Sequence, residues 1–228
     1  MAVMCWNLLP IWLLTAAFGA WAADAADDPA RDVTLRYNAY VAGALVGDAT
    51  ITVAMVGDRY QVVGDARSIG VLKHFSKWHN RFAARGVLDD AGSSPEAFYY
   101  TERNRSKVRD VAVRDGTLHV TKNGKQRPER EAPDGHDVLS ALFVSPRCEE
   151  DHLLHTGRYL YRLERLEHDA ETCRYRVTDE DDDSYEIELQ LTRVNGLLVP
   201  GRIIVHAWLT GSVELMDPPT AEPAVSVR

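Results

Sequence analysis

The 228-residue sequence predicts a mainly β protein: a curved antiparallel meander, an open or half barrel, with one or two short helices covering the concave face. Three observations carry this expectation. Apolar and polar residues alternate with period two through much of the chain, as a strand with one buried face requires. Turn signals containing Gly separate these runs and join neighbours directly, which makes the strands a meander. No β-α-β alternation appears, which argues against a parallel sheet.

In chain order, Met1 to Ala22 carry no charged side chain, and an apolar stretch from Leu8 to Phe18 is broken by Pro10 and Thr15. A core of that length suits a signal peptide. It ends in Ala20-Trp21-Ala22, a small-x-small cleavage pattern, and Asp24, Asp27 and Asp28 follow. Cleavage after Ala22 and a periplasmic location are expected. No Lys or Arg stands near the start, so an uncleaved inner-membrane anchor is the alternative. Residues 23–32 then form a linker, 33–216 a single β-rich domain, and 217–228, with Pro218, Pro219 and Pro223, a flexible tail. Without the leader about 206 residues remain, enough to bury a real core.

The first strand sets Val33, Leu35, Tyr37, Ala39 and Val41 against Thr34, Arg36, Asn38 and Tyr40. A second sets Ile51, Val53 and Met55 against Thr50 and Thr52, and Gly57-Asp58 turns the chain into a third, Arg59 to Asp65. The clearest has Tyr185, Ile187, Leu189 and Leu191 between Glu186, Glu188, Gln190 and Thr192. Further strands are expected at 96–103, 107–113, 117–122, 158–167, 173–178, 197–206 and 212–216. Asp115-Gly116, Asn123-Gly124 and Asn195-Gly196 supply residues that tolerate positive φ in two-residue hairpins, with Thr210-Gly211-Ser212 a weaker fourth. One helix is expected from Ser68 to Trp78, where Val71, Phe75, Trp78 and Phe82 follow spacings of four, three and four. Another is expected at 135–144, capped by Asp134, helped by Asp137, with Val138, Leu139, Leu142 and Phe143 as its stripe and Pro146 as its stop.

Composition narrows the function. The formal charge of −8, carried wholly by the mature part, makes nucleic acid a poor partner. Of three cysteines Cys5 leaves with the leader, so Cys148 and Cys173 meet an oxidising compartment and are expected to pair. The closed loop spans 26 residues, for which chain entropy gives on the order of 3 kcal/mol. Neither cysteine belongs to a C-x-x-C, and two ligands alone make no zinc site.

Several of these segments also match a known pattern. Tyr40 with Gly47, the run Tyr60 to Gly70, Pro95 before an aromatic strand, and Asp137-Val-Leu-Ser-Ala-Leu142 closing with Arg147 resemble the bacterial periplasmic domain-of-unknown-function family DUF3108. The resemblance covers most of 33–206 and brings no established activity. The strand and helix pattern also looks like the open half-barrel of Lol-type lipoprotein carriers, a looser analogy of fold.

The residues that could carry chemistry have plain readings beside them. His136 and Ser140, four apart with Asp134 and Asp137 near, could pair a nucleophile with a base, but no G-x-S-x-G accompanies them, and helix capping and packing explain them better. No catalytic residue is assigned. His152 and His155, or His74 and His79, lack a ligand framework, and Asp179 to Asp183 fails as a calcium loop at Ser184 and Gln190. A polar hairpin tip is the reading there, and neither metal nor cofactor is expected.

Charge is divided unevenly, with 15 Lys and Arg against 8 acids over 59–130 and 7 against 17 over 149–222. Arg103, Arg105, Lys107 and Arg109 alternate, and Lys73, Lys77, Arg81 and Arg85 recur every four residues. These rows either meet an anionic partner or complement the acidic half.

The leading functional reading is a non-enzymatic binding protein. Phe75, Trp78, Phe82, Phe143 and Trp208 would line the hollow, and Lys73, Lys77, Arg81, Arg103, Arg105 and Lys107 would form a basic rim for a lipid or amphiphile, with at most peripheral membrane contact. The rival reading is a structural or partner-binding envelope protein with a filled core. A hydrolase comes third, for want of convergent polar residues.

Overall fold

The computed structural model describes residues 31–216 apart from 71, 72, 74, 75, 90, 91, 147, 149, 150 and 170. The expected signal peptide, most of the linker and the tail lie outside the described residues. One curved sheet contains β1 (Arg31–Val41), β2 (Ala44–Val56), β3 (Arg59–Ser68), β4 (Trp78–Asp89), β5 (Gly92–Asn104), β6 (Lys107–Arg114), β7 (Thr117–Lys122), β8 (Lys125–Gln126), β9 (Arg130–Glu131) and β10 (His136–Asp137). After helix α1 (Val138–Phe143) follow β11 (His152–His155), β12 (Leu160–His168), β13 (Thr172–Thr178), β14 (Ser184–Val194), β15 (Leu197–His206) and β16 (Thr210–Leu215). The sheet is the expected antiparallel meander in unclosed form, apart from the short parallel pair β10–β11.

Its order runs β10 to β16, then β1 to β8, because β1 pairs antiparallel with β16, Tyr37 opposite Leu215 and Val41 opposite Gly211. The first and last strands therefore meet inside the sheet, and its edges come from the middle of the chain. The edge strand β10 reaches β5, and α1, which follows it, lies across the concave face. Leu139 and Phe143 join Val33, Leu35, Val53, Tyr60, Val62 and Val199 in one buried cluster. Ala141 and Leu142 reach a second, with Leu154, Leu163, Tyr175, Val177, Leu189 and Leu191. A six-residue helix has little stability alone. Burial on both sides and the cap described below hold it.

Inward residues are graded along the strands. From the β2–β3 turn toward the other end, β1 presents Val33, Leu35, Tyr37 and Ala39, β2 presents Met55, Val53, Ile51, Ala49 and Gly47, and β3 presents Tyr60, Val62, Gly64 and Ala66. Large side chains fill the first end with the helix. Small ones leave room at the second.

The hairpins at Asp115-Gly116, Asn123-Gly124 and Asn195-Gly196 have positive φ at both residues, as their composition predicts. Cys148 and Cys173 form the expected disulfide, with Cα atoms 5.3 Å apart. Several expectations are corrected. Ser68 closes β3 and Trp78 opens β4, so the helix expected from Ser68 to Trp78 does not span that range, and its Val71 and Phe75 lie outside the described residues. Helix α1 starts at Val138, capped by Asp137 and not Asp134, because the Asp137 carboxylate accepts the amides of Leu139 and Ser140. The last turn falls at Ala207 to Leu209, with Gly211 already inside β16. β1 begins at Arg31, ahead of the expected Val33.

Candidate ligand cavity

The graded interior leaves a cavity of about 410 Å³ between α1 and the walls made by β1, β2, β4, β5 and β16. Its floor is Leu139, Leu142 and Phe143, and its walls include Tyr37, Ile51, Phe82, Phe98 and Val213. The room comes from small residues: Ala49 lines it directly, and a Cβ on Gly64 would stand 1.8 Å from the Phe82 ring, so glycine lets that ring lie flat on the strand. Its size is within the range of about 300–1,000 Å³ typical of small-molecule sites.

The polar part of the lining comes mainly from the β11–β12 connection and the strands beside it: Thr156, Arg158, Tyr159, Tyr161 and Tyr100. Arg158 donates from Nη1 to Glu102 Oε2 at 3.2 Å, and its guanidinium lies 4.3 Å over the Tyr159 ring. Arg109 Nη1 stands 3.7 Å from the same carboxylate oxygen. Burial pushes the Tyr161 phenol up to about 12 and also raises Tyr100, so both stay protonated and able to donate at neutral pH. Tyr37, raised by burial as well, donates to the Pro200 carbonyl at 2.8 Å and is committed to the wall.

Beneath the cavity a buried polar network fixes the helix. Asp137 Oδ1 accepts the amides of Leu139 at 3.0 Å and Ser140 at 2.9 Å, and Oδ2 accepts the Ser140 hydroxyl at 2.5 Å. With that proton committed, the Tyr60 hydroxyl donates to Ser140 Oγ at 2.7 Å. The network joins two segments that carry the family resemblance, Tyr60 to Gly70 and Asp137 to Leu142. Asp137 and Ser140 are 0% exposed. Burial pushes the Asp137 carboxyl up, against the bonds from Ser140 and Leu139 and the field of His155. Burial in turn lowers the His155 imidazole, which accepts the Gly157 amide at Nδ1 and stands edge-on to Phe98. Ser140 is thus bonded to a carboxylate away from solvent, an arrangement that caps a helix and offers no access to a substrate.

Of the expected aromatic lining, Phe82 and Phe143 face the cavity. Trp78 instead packs over Gly47, whose Cβ would stand 3.4 Å from its ring, and Phe75 lies outside the described residues. Trp208 is 91% exposed, because the turn it occupies is the tip of the β15–β16 hairpin. The basic rim is also redistributed. Arg81 is exposed on the convex face and pairs with Asp65 at 3.2 Å, beside a His79–Asp65 contact of 2.6 Å. Arg103 and Arg109 do not share a face: a turn at Arg105-Ser106 separates β5 from β6, and Arg109 pairs in register with inward Glu102 while Arg103 faces outward. Lys73, Lys77 and Arg105 are exposed on connections at the cavity end of the strands, and Lys107 is exposed at the start of β6. Ion pairs such as Arg174–Glu188 and Arg202–Glu214 stay within the acidic stretch, whereas Arg158–Glu102 joins it to the basic one. Asp179 accepts the amides of Asp181 and Asp183, which makes that acidic run the expected polar hairpin tip.

The sequence reading missed Arg158, Tyr159, Tyr161 and Tyr100. A usable signal existed: Arg158 and two tyrosines fall within four residues, in a stretch otherwise dominated by acids.

Residues 36–145 match the family described as "Protein of unknown function (DUF3108)", the family the sequence resembles. No curated protein matches the chain. Among solved structures, the crystal structure of a β-barrel-like protein of domain of unknown function DUF1849 from Brucella abortus is similar, at 9% identity and a TM-score of 0.44, over 82% of this chain and 95% of that one.

Proposed function

We propose that the protein binds a lipid-like or other hydrophobic molecule in the periplasm and does not act on it as an enzyme. The observation that carries this reading is the 410 Å³ cavity, apolar on its floor and walls, with polar side chains gathered beside the β11–β12 connection. Burial of an alkyl chain there would stabilise the complex by about 0.8 kcal/mol per CH₂. The leader, with cleavage after Ala22, would deliver the chain to the periplasm. The exposed Lys73, Lys77, Arg105 and Lys107 would permit peripheral contact with an anionic membrane surface or with an envelope protein partner.

The test is native mass spectrometry of protein taken from the periplasm, with displacement of a fluorescent fatty-acid probe by added lipid. Ala49→Phe, which fills the cavity from its wall, is expected to remove binding while leaving unfolding little changed. Absence of any amphiphile together with absent probe binding by the wild type would overturn the reading. N-terminal sequencing is expected to begin at Ala23, and retention of Met1 in the inner membrane would overturn the location. The rival, a structural or partner-binding envelope protein, is favoured by one observation: the end of the barrel beneath the cavity is filled by α1 and two packed clusters. Equal probe binding by wild type and Ala49→Phe would support it, since the probe would then sit elsewhere.

A further inference from the structure

We infer that the cavity selects single-chain amphiphiles ending in one negative charge, an alkyl carboxylate, and that Arg158 is the residue that meets that charge. This rests on the reading of the cavity as a hydrophobic site and adds its ligand class. Arg158 and Arg109 approach one oxygen of a single carboxylate, Glu102, at 3.2 and 3.7 Å. Among these three side chains, two guanidiniums around one carboxylate leave one positive charge in excess. Arg158 stands exposed at the cavity mouth, with 36% of its side chain accessible, whereas Arg109 and Glu102 are half-buried at 20% and 28%. An anion bound at the edge of the cavity would meet that excess through a charge-assisted hydrogen bond to the guanidinium.

Geometry makes Arg158 the contact. It lines the cavity, whereas neither Arg109 nor Glu102 does. Glu102 from one side and the Tyr159 ring beneath fix its guanidinium, whose planar fork suits a two-oxygen carboxylate. The neighbouring hairpin limits how much negative charge the site tolerates. Glu180 Oε1 accepts the Leu160 amide at 3.0 Å, which brings the acidic Asp179–Asp183 tip beside the same connection. One charge is compensated by the excess cation, and a second would face those carboxylates. A long-chain carboxylate therefore fits better than a phosphate monoester.

The test uses the mature protein and three probes of matched chain: dodecanoate, dodecan-1-ol and dodecyl phosphate, with affinities from displacement of a fluorescent fatty-acid probe and from calorimetry. Wild type is expected to bind dodecanoate about tenfold or more tighter than the alcohol, the scale of one charge-assisted hydrogen bond. Arg158→Met is expected to erase that preference with alcohol affinity unchanged, and Glu102→Gln, which enlarges the charge excess, is expected to keep or increase it. Arg158→Gln serves as the second variant if the first fails to fold. Equal binding of carboxylate and alcohol by wild type, or a preference that survives both Arg158 variants, overturns the inference and leaves the hydrophobic cavity standing. Tighter binding of dodecyl phosphate overturns the carboxylate assignment. Failure of all three probes to bind overturns the cavity reading itself.

Discussion

Replacing Asp137 tests whether a helix of six residues is held by its cap. In Asp137→Ala the amides of Leu139 and Ser140 and the Ser140 hydroxyl all lose their acceptor, in a place where Asp137 and Ser140 are 0% exposed and water cannot substitute. Loss of a cap costs about 0.5–2 kcal/mol, and a buried donor left without a partner costs about 1–3 kcal/mol. The two costs overlap in part, and about 3 kcal/mol is the expected sum. That is a large share of the roughly 5–15 kcal/mol that stabilises a domain. Asp137→Asn keeps an oxygen for the amides but turns an NH₂ toward a Ser140 oxygen that already accepts from Tyr60, so about 1 kcal/mol is expected, and Tyr60→Phe should cost a similar amount. Urea unfolding followed by circular dichroism measures all three. A loss within about 0.5 kcal/mol for Asp137→Ala, the scale of an ordinary surface substitution, would refute the argument.

The same residue gives a pH signature with a definite sign. Burial raises its folded-state pKa above the ordinary 3.8, so folding favours the protonated form. The contribution is fully present below 3.8 and is lost as pH rises through the raised value. The stability difference between wild type and Asp137→Asn should therefore shrink as pH climbs above 3.8, and a difference that grows would show that the carboxylate's bonds outweigh its burial.

Three further outcomes are expected. Gly86→Ala should cost about 1–3 kcal/mol, because its Cβ would stand 2.1 Å from the Ser94 carbonyl and 2.7 Å from the Tyr60 hydroxyl, and thermal unfolding would register it. Removing the disulfide with Cys148→Ser and Cys173→Ser should cost about 3 kcal/mol in urea, and alkylation of wild type without reductant should label neither thiol. His155, whose pKa burial holds below 6.5, should contribute stability above 6.5 that is lost as pH falls through the depressed value, and His155→Gln should flatten that part of the profile.

Strand identity was legible because burial on one face of a sheet writes itself into period two, and the hairpins were legible because type I′ turns need Asn, Asp or Gly. Where the reading failed, the two periods coincide. Residues four apart share a face in a helix and also in a strand, since four is even. Trp78 and Phe82, like Lys77, Arg81 and Arg85, therefore fitted a helix while lying on or beside β4. The break between the expected strands at 96–103 and 107–113 is where β5 turns into β6, and the basic row from Arg103 to Arg109 was read across it, because Arg105 adopts φ +54 there without a glycine to mark the turn.

The cavity was illegible in a deeper sense. Alternation states which face a residue occupies but not how far along the strand its neighbours stand. Ala39 and Gly47, or Ala49 and Ala66, look unremarkable on separate strands and make a hollow only once the register sets them opposite one another. The pairing of β1 with β16 has no local signature at all, yet it brings Val213 and Tyr37 into one wall. Arg158 and Glu102, 56 residues apart, meet because the chain folds the β11–β12 connection against β5. A site built at one level of a curved sheet is thus a property of register and long-range contact. Residue types predict its ingredients, and long-range pairing decides which of them meet.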